Sequence, residues 1–181
     1  MTKVLLISED YIKTNSNLND NFYGKNLLPA ITEAQDIGLQ TVVGECLYKK
    51  ILNLVSGGTI KNVENVAYKD LLDEHIRPYL LYLVLSNCVL TANVKMANIG
   101  TVLTNDEHIV NLSQKDVELL RNNYEDKSDF YCKRLQNFLL NNYDAYPELS
   151  ECQCNCSYTI KPNLTSSESS GIFLGGIYYR K

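Results

Sequence analysis

The chain has 181 residues and a mass of 20.5 kDa, enough for one sizeable core. Its formal net charge of -4 and pI near 5.2 exclude a surface that condenses generally onto nucleic acid, which needs clustered Lys and Arg. Hydrophobic residues at 45% and charged ones at 21% exclude a disordered or fibrous chain.

Val4 to Ile7 reads as a short strand, and Ser8 as the cap of a brief helical turn with Glu9 and Asp10 in its first turn. The opening apolar run is too short for a signal peptide, so nothing there marks the chain for secretion. The polar stretch Thr14 to Asn21 reads as loop. A helix is expected from Pro29, with Ile31, Ala34, Gly38 and Val42 roughly on one face, until Gly44 interrupts it. Leu47, Tyr48, Ile51, Leu52 and Val55 form the next helical stripe, stopped by Ser56-Gly57-Gly58. From Val66 to about Met96 the helical period holds, and Pro78 must kink or divide the run. Its apolar part, Tyr79 to Leu90, is too short to cross a bilayer and reads as a buried helix.

Between 98 and 110 the pattern changes to two β-rich runs, Ile99 to Leu103 and His108 to Val110, around a polar turn at 104–107, which predicts a hairpin or an extended loop. Ser113 then caps a long helix whose stripe is Val117, Leu120, Tyr124, Tyr131, Leu135 and Phe138, ended by Pro147. Residues 148–181 shift to Cys, Ser, Thr, Asn and Gly and read as a tail outside the helical core. The expected architecture is therefore mainly α: a helical bundle over 1–147 with a hairpin excursion near 98–110, and an extended tail over 148–181.

No motif for chemistry emerges, and no catalytic, cofactor-binding or metal-ligating residue is assigned. His75 and His108 lack triad or ligand spacing, and His75 reads as a packed or surface side chain. Ser56-Gly57-Gly58-Thr59 lacks the P-loop lysine and ends a helix instead of opening one. Cys46, Cys88 and Cys132 sit in apolar helical segments as small hydrophobes, with reduced thiols as the default. Cys152, Cys154 and Cys156 alternate at a spacing that, in an extended chain, sets neighbouring thiols too far apart for one tetrahedral ion. The sequons at Asn155 and Asn163 carry no weight without an export signal. Apolar material beyond one core's needs marks candidate partner contacts: Ile172, Phe173, Leu174, Ile177, Tyr178 and Tyr179 in the terminal patch, and Ile99, Val102 and Leu103 in the hairpin.

One pattern goes further. Leu28 to Gln35, with Ile31, Ala34 and Gln35 as I-x-x-A-Q, leads to Val43-Gly44-Glu45-Cys46-Leu47-Tyr48-Lys49-Lys50-Ile51. This resembles the opening of tailed-bacteriophage head-to-tail connector (adaptor) proteins, where L-G-x-x-L-Y-x-x-I is usual; Val43 stands in the place of the first leucine. The versions from phages of gut Bacteroidetes-type bacteria are most similar, and the resemblance spans about residues 26–146. It implies a non-enzymatic virion protein at the head-tail junction, a homo-oligomeric ring, typically twelve-fold, beneath the portal protein. Such a ring docks tail or further ring proteins and extends the channel for double-stranded DNA, with no cofactor and no membrane. Two readings from other classes stand beside it: a metal- or thiol-active binding protein using the C-terminal cysteines, and a helical regulatory protein binding a host partner.

Overall fold

The structure, a computed structural model, describes residues 3–18, 24–92, 94–97, 100–103 and 114–151, with the backbone course alone for 25, 26, 90–92, 94–97, 100–103 and 151. The chain is mainly helical. Helix α1 (Glu9–Thr14) opens as its sequence requires: the Ser8 hydroxyl accepts the Tyr11 amide at 3.1 Å, and Glu9 and Asp10 lie in the first turn. The expected strand over Val4 to Ile7 is absent. Its backbone is satisfied by a side chain from another element, as set out below, so no neighbouring strand is needed.

Helix α2 (Gly24–Glu33) starts five residues before Pro29. An interior proline forfeits one backbone hydrogen bond, but burial of Leu27, Ala30 and Ile31 on one face outweighs that loss. The helix widens into a π turn at Ala34–Leu39, where the Gln40 amide reaches back five residues to the Gln35 carbonyl, and continues as α3 (Gln40–Val43). Gly44 then breaks the run at φ +80°, ψ 160°, a conformation closed to side-chain-bearing residues. Helix α4 (Glu45–Ser56) follows and stops at Gly57 and Gly58, the latter left-handed at φ +68°.

Two 3₁₀ turns lead to α5 (Val66–Asp70), a second π turn at Leu71–Ile76, and α6 (Arg77–Ala92). The run divides just ahead of Pro78, as expected, into α5, the π turn and α6. The wider turn just before the proline, with the Arg77 amide bonded to the Leu72 carbonyl, shifts the preceding carbonyls from beneath the ring. Helix α6 is apolar on more than one side, burying Tyr79, Leu80, Leu81, Val84, Leu85 and Cys88, because α2 and the first π turn cover one flank and α7 covers another.

Strands β1 (Val94–Ala97) and β2 (Gly100–Leu103) form an antiparallel hairpin, with Val94 opposite Leu103 and Ala97 opposite Gly100. It begins earlier than the sequence pattern indicates. The first strand takes residues that continue the helical period, and the expected polar turn and second run at 104–110 lie outside the described residues. Helix α7 (Gln114–Asn141) runs antiparallel to α6, pairing Tyr131 with Tyr82 and Phe138 with His75. It ends six residues before Pro147. A 3₁₀ turn at Tyr143–Ala145 and the short helix α8 (Glu148–Glu151) follow, with Tyr146, Glu148 and Leu149 buried and α8 packed on α4. The core therefore extends past 147, correcting the boundary at which the tail was expected to begin.

Candidate assembly surfaces

The residues of the connector-like pattern are architectural. Ile31, Ala34, Leu47 and Ile51 are buried in the core, and Gln35, equally buried, sits in the first π turn. Its side-chain oxygen accepts the Leu6 amide at 2.9 Å, and its nitrogen donates to the Val4 carbonyl at 2.9 Å and the Tyr48 hydroxyl at 3.1 Å. One amide side chain thus replaces a strand partner for the N-terminal segment. The Tyr48 hydroxyl donates onward to Asp36 at 2.7 Å, and Lys3 pairs with the same carboxylate. Burial alone would raise the Asp36 pKa, but the hydrogen bonds from Lys3 and Tyr48 outweigh it and hold the carboxyl below its usual range. Burial and the hydrogen bond to Asp36 push the Tyr48 phenol well above its ordinary value. Arg77 adds a bond from Nε to the Leu6 carbonyl at 3.2 Å.

A second network fixes the C-terminal turn, mainly through aromatic packing. Tyr146 meets Tyr68 edge-on at 5.5 Å, Phe138 stacks on His75 at 3.9 Å, and the Tyr146 hydroxyl donates to the Ala67 carbonyl at 3.1 Å. Both Glu148 oxygens accept from the Tyr68 hydroxyl at 2.9 Å, with Lys50 at 3.7 Å. Burial raises Tyr146 to about 12, and burial first, then the Arg134 charge, lowers His75 below 6.5. His75 is therefore a packed side chain, its Nδ1 buried without a hydrogen-bond partner among the described residues.

Of the expected partner contacts, Val102 and Leu103 lie on β2, opposite Lys95 and Val94. Ile99 and the terminal patch of Ile172, Phe173, Leu174, Ile177, Tyr178 and Tyr179 lie outside the described residues. The structure adds apolar side chains that sequence reading passed over: Ile37 is 66% exposed, Leu119 69% and Phe130 64%. A signal for two of them was present, because Leu119 and Phe130 fall off the stripe through Tyr124, Tyr131 and Leu135. Leu120, expected on that stripe, is 39% exposed, since α7 outlasts its partner at this end: with Tyr82 beside Tyr131, the last residue of α6 falls level with Arg121, and the first turns of α7 run on beyond it.

Among the described residues no group of three or more His, Cys, Asp or Glu is placed to hold a metal, and no helix is long and apolar enough to cross a membrane. Cys88 and Cys132 are thiols; burial lifts Cys88 to about 11 and raises Cys132, so neither is a thiolate near neutrality. Cys46 is disulfide-bonded, a departure from the reduced state expected of it.

A family model described as a family of unknown function (DUF6712) matches residues 39–159, more than half of the chain. No curated protein and no solved structure matches.

Proposed function

The chain belongs to the DUF6712 family of unknown function, and within that frame we propose that it is a structural virion protein, a ring-forming adaptor between portal and tail. The observation that carries this reading is the stretch after α6, a two-stranded hairpin followed by the apolar first turns of α7. Helix α6 leads into a hairpin of only two strands among the described residues, and the first turns of α7, which run on beyond α6, expose Leu119 and Leu120. A two-stranded hairpin is marginal in water and offers backbone donors and acceptors along its edges, while exposed leucines favour a protein neighbour. Lateral packing of copies covers both. The modest negative charge suits a channel past which DNA slides, because few basic groups hold its phosphates. The protein is read as a non-enzyme, and its partners as further copies, the portal, tail proteins and passing DNA.

The test is electron microscopy and native mass spectrometry of the full chain, alone and with the cognate portal protein. A closed ring or a portal-bound state is the expected outcome. A chain that stays monomeric at all concentrations, and neither joins the portal nor enters virions, would sink the reading.

A further inference from the structure

The disulfide at Cys46 needs a second sulfur, and the chain offers few. Of its six cysteines, Cys88 and Cys132 are thiols, which leaves Cys152, Cys154 and Cys156, beginning at the residue after α8 ends at Glu151. The packing of α8 on α4 chooses among them. Lys50 lies 3.7 Å from Glu148, whose carboxylate also accepts from the Tyr68 hydroxyl at 2.9 Å, so this pair sets the register of the two helices. Cys46 precedes Lys50 by four residues, one turn along the same face of α4, and Cys152 follows Glu148 by four. Helices running in opposite directions through the Lys50–Glu148 contact bring 46 and 152 level; running in the same direction, they bring 46 level with Asp144, which carries no sulfur. The bond at Cys46 fits the first arrangement. Cys154 and Cys156 are two and four residues further on, and bonding either would require the chain to turn back after 152.

We propose that Cys46 and Cys152 share the bond, and that it is a redox-operated clasp fastening the root of the C-terminal tail to the first turn of α4. It closes by thiol–disulfide exchange with a small-molecule disulfide such as oxidised glutathione. The two thiols release two protons and two electrons as one S–S bond forms between them, while the S–S bond of the reagent breaks and takes up both to give two thiols. A small dithiol reverses the step, and half-buried Cys46 is open enough to be reached. Cys88 and Cys132, whose thiols burial holds protonated, stay outside the exchange. Closed, the clasp encloses roughly 100 residues of chain, from α4 to α8, a large restriction on the unfolded state. It also ties covalently an end of the bundle otherwise held by Tyr146, Glu148 and Leu149. The inference does not rest on the ring-adaptor reading, since a monomer would carry the same clasp.

Peptide mapping under non-reducing conditions identifies the pair. The full chain is equilibrated with oxidised glutathione, its remaining thiols are blocked with iodoacetamide, and tandem mass spectrometry reads the fragments across 152–156. A link from Cys46 to Cys152 is expected; Cys46 joined to Cys154, to Cys156 or to glutathione, or found blocked as a thiol, would overturn the assignment. Hydrogen exchange tests the clasp. The Leu149 and Ser150 amides, bonded to the Tyr146 and Pro147 carbonyls at 3.0 Å, should exchange about tenfold faster once dithiothreitol opens the bond, while the Leu6 amide is unchanged. Cys46→Ser should match the reduced chain with or without dithiothreitol; should it not fold, Cys152→Ser, on the other side of the bond, takes its place. Exchange at Leu149 and Ser150 that is indifferent to reduction would leave a bond without a clasp and overturn the role proposed for it.

Discussion

The two ends of the described chain are fastened to the same bundle by different physics. The segment before α1 is held by directional bonds to Gln35, with Asp36 and Lys3 at a half-exposed rim. The segment after α7 is held by the buried surface of Tyr146, Phe138 and Tyr68, with Glu148 bonded at its edge. Hydrogen bonds set register and lose their benefit when one partner goes, whereas packed rings contribute through area and cavity. The N-terminal attachment should therefore respond to loss of one amide, and the C-terminal one to loss of volume.

The largest effect is expected at Tyr146. Tyr146→Ala removes a buried ring and its bond to the Ala67 carbonyl, and should lower stability by about 3 kcal/mol, read as a shift in the urea midpoint. Tyr146→Phe keeps the ring and should recover most of that loss. If the two variants are equally destabilised, the C-terminal attachment depends on its hydrogen bond and the contrast between the two ends collapses.

Gln35→Leu preserves bulk but strands the Leu6 amide and the Val4 carbonyl, at an expected loss of about 2 kcal/mol. Hydrogen exchange sharpens this: the Leu6 amide should lose its protection while amides within α4 keep theirs. Unchanged protection at Leu6 would show that the segment stays docked without the side-chain bond.

The smallest effect concerns pH. Because the His75 pKa is lowered by burial, folding favours the neutral ring; its contribution is fully present above 6.5 and is lost as the pH falls below that value. Stability should decline as the pH falls below 6.5, and His75→Phe should flatten that part of the profile. Asp36 acts lower, with stability present above its unfolded pKa of 3.8 and lost as the pH falls through its depressed value. A decline near pH 6 that persists in His75→Phe would assign it to another group.

Much of this architecture was legible in the chain. Gly44 and Gly57-Gly58 stop their helices, and at Gly44 and Gly58 the positive φ is one that glycine alone adopts freely. The stripe from Tyr124 to Phe138 packs on the bundle because its steps follow the helical period. What escaped was tertiary in origin. The pairing of Val4 and Leu6 with Gln35 joins residues about thirty apart, and no local pattern encodes it. Pro147 looks like a boundary, but Leu149 and Tyr146 find buried places on elements far earlier in the chain. For the candidate contacts, composition pointed to the hairpin and the terminal patch. The faces bearing Ile37 and Phe130 emerge only when the helices are assembled, since exposure depends on which neighbours are present.

The π turn at Leu71–Ile76 is, in counting terms, one residue more than an α-helical turn needs. Each residue of an α-helix advances the side chains by about 100°. Deleting one position there would remove the surplus residue and restore a regular helix with Tyr79 and Tyr82 still facing Cys132 and Tyr131, whereas a deletion early in α6, which has no surplus, would rotate the residues after it by that angle. The first deletion would bring an ordinary turn beneath Pro78 but keep the downstream register. This stretch should therefore tolerate loss of one residue better than α6 does, where a single-codon deletion should behave as a frame error in three dimensions.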